Sequence, residues 1–272
     1  MFIVDSQIHL WKNPCGPVHH RSQPLEPAEA IAEMNKAGIA RAINCPPIWD
    51  PDAMTLAATA AQAYPDLIST MGWFPLTPMA DERLVDECMS QPGMVGLRFA
   101  VLDAQQQTWL AEGKLDWVWR AASDRGIPVA LAIPQKLPLI ARLASAFPQL
   151  RIAIDHLGAG GIGKIPEVLA HMDSLADLAS LANVSVKLSA SPGYATDAYP
   201  FASVFPYLKR LFDAYGPERL FWGTDITRMP CSWSQCVSMF TEEIPWLKGE
   251  ALAEVMGRAI SRWLGWTLPP VQ

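Results

Sequence analysis

Met1-Phe2-Ile3-Val4-Asp5-Ser6-Gln7-Ile8-His9 opens the chain as an apolar run that ends on polar side chains. In a β-strand successive side chains alternate between faces, so Gln7 and His9 point the same way and bring two ligand-type groups to one place. Short β-rich runs of this kind recur along the chain, at 2–9, 40–45, 67–74, 94–100, 127–133, 151–156, 184–189 and 220–225. Between them lie segments with apolar residues recurring every three or four positions, at 26–36, 52–63, 80–90, 116–125, 137–146, 166–182 and 199–215, which predict helices. Lys36-Ala37-Gly38 and Asp124-Arg125-Gly126 place a basic residue in a last helical turn and a glycine just after it, as at a helix-to-strand junction.

Strict alternation of strand and helix implies right-handed parallel units, and eight of them predict an α/β fold of the (β/α)8 TIM-barrel type. A doubly wound sheet is the alternative. It calls for a glycine-rich turn after the first strand, where this chain has His9-Leu10-Trp11-Lys12-Asn13-Pro14. A connection rich in Pro, Trp and Cys, 229–245, leads to a last helix at 250–264 that closes the barrel. With no linker, repeat or low-complexity segment, residues 1–272 are expected to form a single domain.

With 272 residues, half of them hydrophobic, the chain can bury a large core. A net charge of −6 and the absence of any Lys/Arg cluster exclude a nucleic-acid backbone as main partner. No apolar stretch reaches the ~20 residues of a membrane span, and the N-terminus does not read as a signal peptide, so a soluble, cytoplasmic protein without a membrane partner is expected. The five cysteines, Cys15, Cys45, Cys88, Cys231 and Cys236, are odd in number and scattered, which predicts reduced thiols. Cys231 and Cys236 do not have zinc-knuckle spacing.

In a barrel, catalytic groups come from the C-terminal ends of strands. Here those ends read Gln7-Ile8-His9, Gly72-Trp73-Phe74, Gly96-Leu97-Arg98-Phe99, Ile154-Asp155-His156-Leu157-Gly158, Val186-Lys187-Leu188-Ser189 and Trp222-Gly223-Thr224-Asp225. Asp225 is the foremost candidate, because a carboxylate after so apolar a strand must be paired, hydrogen-bonded or functional. His9 and His156 are candidate catalytic groups, against readings as a core histidine and a loop tie. Arg98 offers a planar fork for a carboxylate or hydroxy-carbonyl group, unless it only makes a structural ion pair. Lys187 is either a substrate contact or an ion-pair partner of Asp155 or Asp5. Gln7, Trp73, Ser189 and Tyr194 complete the expected substrate contacts. Trp11, Trp49 and Trp233 are further aromatic candidates for the walls. His19 and His20 read as solvated loop residues, and His171 as a helix residue without a part in the site.

Asp5-Ser6-Gln7-Ile8-His9-Leu10-Trp11, together with the motifs ending in Phe99, Gly158, Ser189 and Asp225, resembles the signatures of the amidohydrolase 2 branch of the amidohydrolase superfamily. The resemblance runs from the first candidate strand to the last. It implies a TIM-barrel hydrolase, with lactonases of sugar and aromatic acids among its relatives. The superfamily's full metal set has two histidines on strand one, a bridging group on strand four, one histidine each on strands five and six, and an aspartate on strand eight. Here Gln7 replaces the first histidine, and strand five ends Ala130-Leu131-Ala132-Ile133-Pro134 without a ligand. These losses resemble those of metal-independent lactonases, so no cofactor is expected to be required. The alternative is one divalent metal such as Zn2+, held by His9, His156 and Asp225.

The resemblance therefore implies hydrolysis of a small-molecule, anionic lactone. Asp225 would act as general base on water, and His9, His156 and Arg98 would polarise the carbonyl and serve the leaving alkoxide. Rival readings are a metal-dependent amidohydrolase or aromatic-acid decarboxylase, a lactone isomerase, and a non-catalytic binding barrel; assembly into a homo-oligomer is compatible with all of them.

Overall fold

The computed structural model describes residues 1–14 and 16–267, so Cys15 lies outside the described residues. The strands are β1 (Val4–Ile8), β2 (Arg41–Asn44), β3 (Ile68–Trp73), β4 (Met94–Ala100), β5 (Val129–Ala132), β6 (Ile152–Ile154), β7 (Val184–Lys187) and β8 (Leu220–Phe221). They lie side by side in chain order and every neighbouring pair is parallel. The Ser6 N–H donates to the Trp222 carbonyl at 3.1 Å and the Asp225 N–H to the Gln7 carbonyl at 2.8 Å, which ties the end of β8 back to β1. The molecule is a (β/α)8 barrel, and the unbroken strand order excludes the doubly wound alternative.

Around it pack α1 (Pro27–Ala37), α2 (Ala53–Ala63), α3 (Glu82–Met89), α4 (Ala104–Ala111), α5 (Asp116–Asp124), α6 (Leu137–Ala146), α7 (Met172–Asp177), α8 (Ser191–Tyr194), α9 (Phe205–Tyr215), α10 (Trp233–Ser238), α11 (Gly249–Ala253) and α12 (Ala259–Leu264). Helix α1 shows why the boundaries were readable. Pro27 starts it, Ala30, Met34 and Ala37 form its buried face, and Gly38 ends it at φ 72°, a conformation that costs glycine little.

Three long predicted helices are broken. The segment 166–182 contains only α7 as α-helix, flanked by short 3-10 turns, and the His171 ring before α7 is bonded through Nε2 to the Leu157 carbonyl at 2.8 Å. The segment 199–215 becomes α-helical only at Phe205: Phe201 is left-handed at φ 62°, and Pro206 sits in the first turn of α9, where its missing N–H is not needed. In 250–264 a π-helical turn, Glu254–Arg258, separates α11 from α12 and brings Gly257 against the Phe2 carbonyl, where a Cβ would collide. Helix α4 was not foreseen, although Asp103 caps it by accepting the Gln106 N–H at 2.8 Å. Nor was α10, which starts with a Ser232–Gln235 capping box.

Inside the barrel, Val4, Ile43, Cys45, Met71, Ala130, Ala153 and Phe221 form one apolar cluster, closed below by Ala259 and Ile260 of α12. The lower barrel is therefore solid, and the polar side chains of the strand ends stand above it. A larger cluster fills the space between sheet and helices. Among the described residues no helix is long and apolar enough to cross a membrane.

Candidate active site

Strands β6 and β8 stop earlier than expected, at Ile154 and Phe221, and the residues that follow turn sharply. His156, Leu157 and Asp225 have φ of 51°, 58° and 57°, a left-handed backbone that costs non-glycine residues on the order of 1–3 kcal/mol each. The cost is met by surrounding bonds: Asp225 is anchored through its N–H to Gln7, and the His156 N–H reaches Ser189 Oγ at 3.3 Å. Both turns aim a side chain across the barrel mouth instead of along the strand.

His9 Nδ1 lies 2.5 Å from the Cys45 carbonyl oxygen at the end of β2. A carbonyl only accepts, so Nδ1 carries the hydrogen and Nε2 presents a lone pair. Burial lowers the basicity of this imidazole, against the pull of Asp225, and keeps it neutral. Its Nε2 faces Asp225 Oδ1 at 3.4 Å, and that oxygen is buried without a hydrogen-bond donor among the described residues. Burial would raise the Asp225 carboxyl, but the Arg228 guanidinium beside it holds it below the usual carboxylate range. Arg228 Nη1 lies 3.4 Å and His156 Nδ1 3.8 Å from Asp225 Oδ2.

His20 corrects the sequence reading. Expected in solvent, it folds into the site, with Nδ1 2.8 Å from Thr227 Oγ1 and its ring packed between His19 and Trp49, at centroid distances of 4.6 and 4.7 Å. Burial, the largest influence, brings its pKa down to about 3. Ligand atoms from His9, His20 and Asp225 all lie within 4.8 Å of one another. His156, expected in that trio, is instead held through Nδ1 by Ser189 Oγ at 2.9 Å, and burial brings it to about 3. Two neutral imidazoles and a carboxylate oxygen without a donor form a donor set that fits one divalent cation. Cys231 and Cys236 join no such group among the described residues; their sulfurs pack 3.5 Å apart across the start of α10.

Beneath this trio lies a second polar layer. Asp155 Oδ2 accepts from Arg98 Nε at 2.7 Å, and Asp155 Oδ1 is 3.0 Å from Lys187 Nζ. Lys187, wholly buried, also donates to Gln7 Oε1 at 2.9 Å, which receives the Cys45 thiol hydrogen at 3.1 Å. Against its burial, Lys187 and Arg98 hold the Asp155 carboxyl far below the usual range. Of the two ion pairs open to Lys187, the structure forms the one with Asp155. Asp5 is taken up by the Gln7 and Thr224 N–H groups, the Thr224 hydroxyl and the Trp233 indole.

Of the aromatic candidates, Trp73 is exposed at the end of β3 in register with Arg98, whereas Trp11 and Trp233 are buried packing residues. Tyr194 is buried, with the Arg228 guanidinium 5.6 Å over its ring. Sequence reasoning missed His20, Thr227 and Arg228. Their loops meet only in three dimensions, where the Arg21 N–H donates to the Thr227 carbonyl at 2.7 Å.

A family model described as Amidohydrolase matches residues 4–259, from the first residue of β1 to the start of α12. The chain belongs to the amidohydrolase family. Within it, this amidohydrolase is 23% identical over 235 residues to an L-fucono-1,5-lactonase from Burkholderia ambifaria, a match that covers 82% of this chain and 80% of that one. In fold it is similar to an amidohydrolase from Burkholderia multivorans crystallised with bound zinc, at a TM-score of 0.83 and 16% identity over 98% of this chain and 100% of the other. A protein from Pseudomonas putida assigned as a 2-pyrone-4,6-dicarboxylic acid hydrolase superposes with a TM-score of 0.76 and 20% identity, covering 98% and 99% of the two chains. A 5-carboxyvanillate decarboxylase from Sphingomonas paucimobilis shares the fold at a TM-score of 0.68 and 15% identity, covering 98% and 99%.

Proposed function

We propose that this amidohydrolase opens a lactone, an anionic one in our reading, by base-assisted attack of water. The observation that carries the reading is the donor-free Asp225 Oδ1 facing the His9 Nε2 lone pair at the barrel mouth, above a polar layer that holds Arg98. The likeness to a lactonase over most of both chains supports the ester over the amide. So does the modest basicity of the site, because an activated ester demands less of it.

His9, His20 and Asp225 would hold a divalent cation, and this reading replaces the expectation of a site without one. When bound, such a cation supplies Lewis acidity at the mouth. Asp225, ionised at neutral pH, takes the proton from the attacking water. With Arg98 Nε committed to Asp155, the two Nη groups remain to orient the lactone carbonyl and steady the charge that develops there. His156, fixed by Ser189, stands beside the same carboxylate, so that the proton Asp225 has taken from water passes through its ring to the leaving alkoxide. Trp73 supplies a wall for the ring.

The test is a panel of aldonolactones and dicarboxylate lactones followed by proton release. Hydrolysis of at least one, lost on replacing Asp225, is expected. Silence across the panel would overturn the reading in favour of a decarboxylase.

A further inference from the structure

Cys231 and Cys236 flank the start of α10, and the local fold holds them together. Ser232 caps the helix: its Oγ accepts the Gln235 N–H at 3.2 Å, while Gln235 Oε1 accepts the Ser232 N–H at 3.1 Å. Cys231 therefore precedes the cap and Cys236 is the fourth residue of the helix, the two positions whose side chains meet as a hydrophobic staple. Here both are thiols, and their sulfurs lie 3.5 Å apart. Cysteine fills a staple as a small apolar residue would, but a sulfur pair adds a reaction that leucine or valine lacks.

The two thiols differ in access and in acidity. Cys231 is half-buried and Cys236 is buried. The hydrogen bond from Cys236 lowers the Cys231 thiol below its ordinary value, while that bond and burial hold the Cys236 thiol well above its own. Cys231 is the sulfur that solvent reaches and the one that ionises more readily; Cys236 stands behind it. Cys45 gives its hydrogen to Gln7 inside the barrel and Cys88 lies on α3, and neither has a second sulfur in hydrogen-bond reach among the described residues.

The pair also sits behind the candidate active site. Trp233, the first residue of α10, donates its indole N–H to Asp5 Oδ2 at 2.8 Å. Asp5 in turn accepts the N–H and the hydroxyl of Thr224, the neighbour of Asp225.

We propose that Cys231 and Cys236 form a redox-active dithiol, closed to a disulfide by an organic hydroperoxide, and that the closed form latches the start of α10 and with it the Trp233–Asp5 bond. In the first step the Cys231 thiolate attacks one peroxide oxygen, the O–O bond breaks, an alcohol leaves after taking up a proton, and Cys231 becomes a sulfenic acid. In the second the Cys236 sulfur displaces the hydroxyl as water and the S–S bond forms, so that two thiols lose two electrons and one peroxide gains them. The inference does not rest on the lactonase reading.

The test uses the full-length protein, first reduced with dithiothreitol, freed of it, and then exposed to tert-butyl hydroperoxide. Titration after denaturation should find two of the five thiols lost, and the tryptic peptide 229–248, which carries both cysteines, should be lighter by two hydrogens. Dithiothreitol should restore both. Because a disulfide restricts the unfolded chain, the oxidised protein should melt at least about 2 °C above the reduced one. That difference should vanish in Cys231→Ser and in Cys236→Ala and persist in Cys88→Ser. Survival of all five thiols, or thiol loss without the cross-link in 229–248, overturns the redox pair; a cross-link that leaves the melting temperature unaltered overturns the latch.

Discussion

His9 Nε2 and Asp225 Oδ1 face each other at 3.4 Å with no hydrogen between them. The ring's hydrogen is committed to the Cys45 carbonyl on the opposite edge, and burial disfavours a second proton on the imidazole. Two lone pairs in contact repel, and the arrangement is relieved by a cation that both can bind.

That cation is expected to be one divalent ion per chain, and its ligands can be told apart by substitution. His20→Ala should weaken zinc binding by about tenfold or more, whereas His156→Ala, which removes a ring already held by Ser189, should change it far less. Competition against a chromogenic chelator reads both. Retention of zinc in His20→Ala together with its release in His156→Ala would show that the trio has been drawn with the wrong histidine.

Removal of the ion should also lower thermal stability, since a ligand bound only by the folded state stabilises it by about 2.7 kcal/mol at a hundred times its Kd. A melting temperature indifferent to chelation and to added zinc would contradict a resident ion at this site.

Asp225→Asn keeps the shape of the side chain and removes its charge. As the proton acceptor it should cost kcat about a hundred- to ten-thousand-fold, with KM changed much less. Steady-state kinetics on whichever lactone is turned over decide it, and a rate near wild type removes Asp225 from that role.

The polar layer beneath the trio should show a fixed order of stability losses. Asp155 serves both Arg98 and Lys187, so Asp155→Asn strands two buried cations and should cost about 3–5 kcal/mol in urea unfolding. Lys187→Met leaves the Arg98–Asp155 pair intact and should cost less. The reverse order would mean that Lys187, through Gln7, is the keystone of the layer.

These groups were unequally legible in the sequence, for a physical reason. Gln7, His9, Arg98 and Lys187 lie on strands or just after them, where a period of two fixes the face a side chain takes, and the eight-fold alternation fixes which end of the barrel they crown. Asp225 and His156 were legible as polar residues after apolar runs, although the left-handed turns that aim them were not. His20 and Arg228 had no such frame. Each sits in a loop whose path depends on contacts far along the chain, such as Arg21 to Thr227, and no local period announces those. The same holds for the broken helix at 166–182, whose His171 ring is tied to the Leu157 carbonyl outside the segment.

Asp5 should leave a signature in the pH dependence of stability. Burial, the largest influence, pushes its carboxyl up to about 6, against the Thr224, Gln7 and Trp233 donors that favour the charged form. In the unfolded chain the group titrates near 3.9. Between about pH 4 and 6 the folded state therefore binds more protons than the unfolded state, and this group's contribution falls as pH rises. Its stabilising share is complete below about pH 4 and lost above about pH 6; a difference of about two units corresponds to about 3 kcal/mol. Other carboxylates also titrate in acid, Asp225 and Asp155 below about pH 4 and with the opposite sign, so the quantity to follow is the wild-type unfolding free energy minus that of Asp5→Asn. That difference should decline by about 3 kcal/mol from pH 4 to pH 7. A flat difference would mean that the four donors, not burial, set the ionisation of Asp5, and that it stays charged throughout.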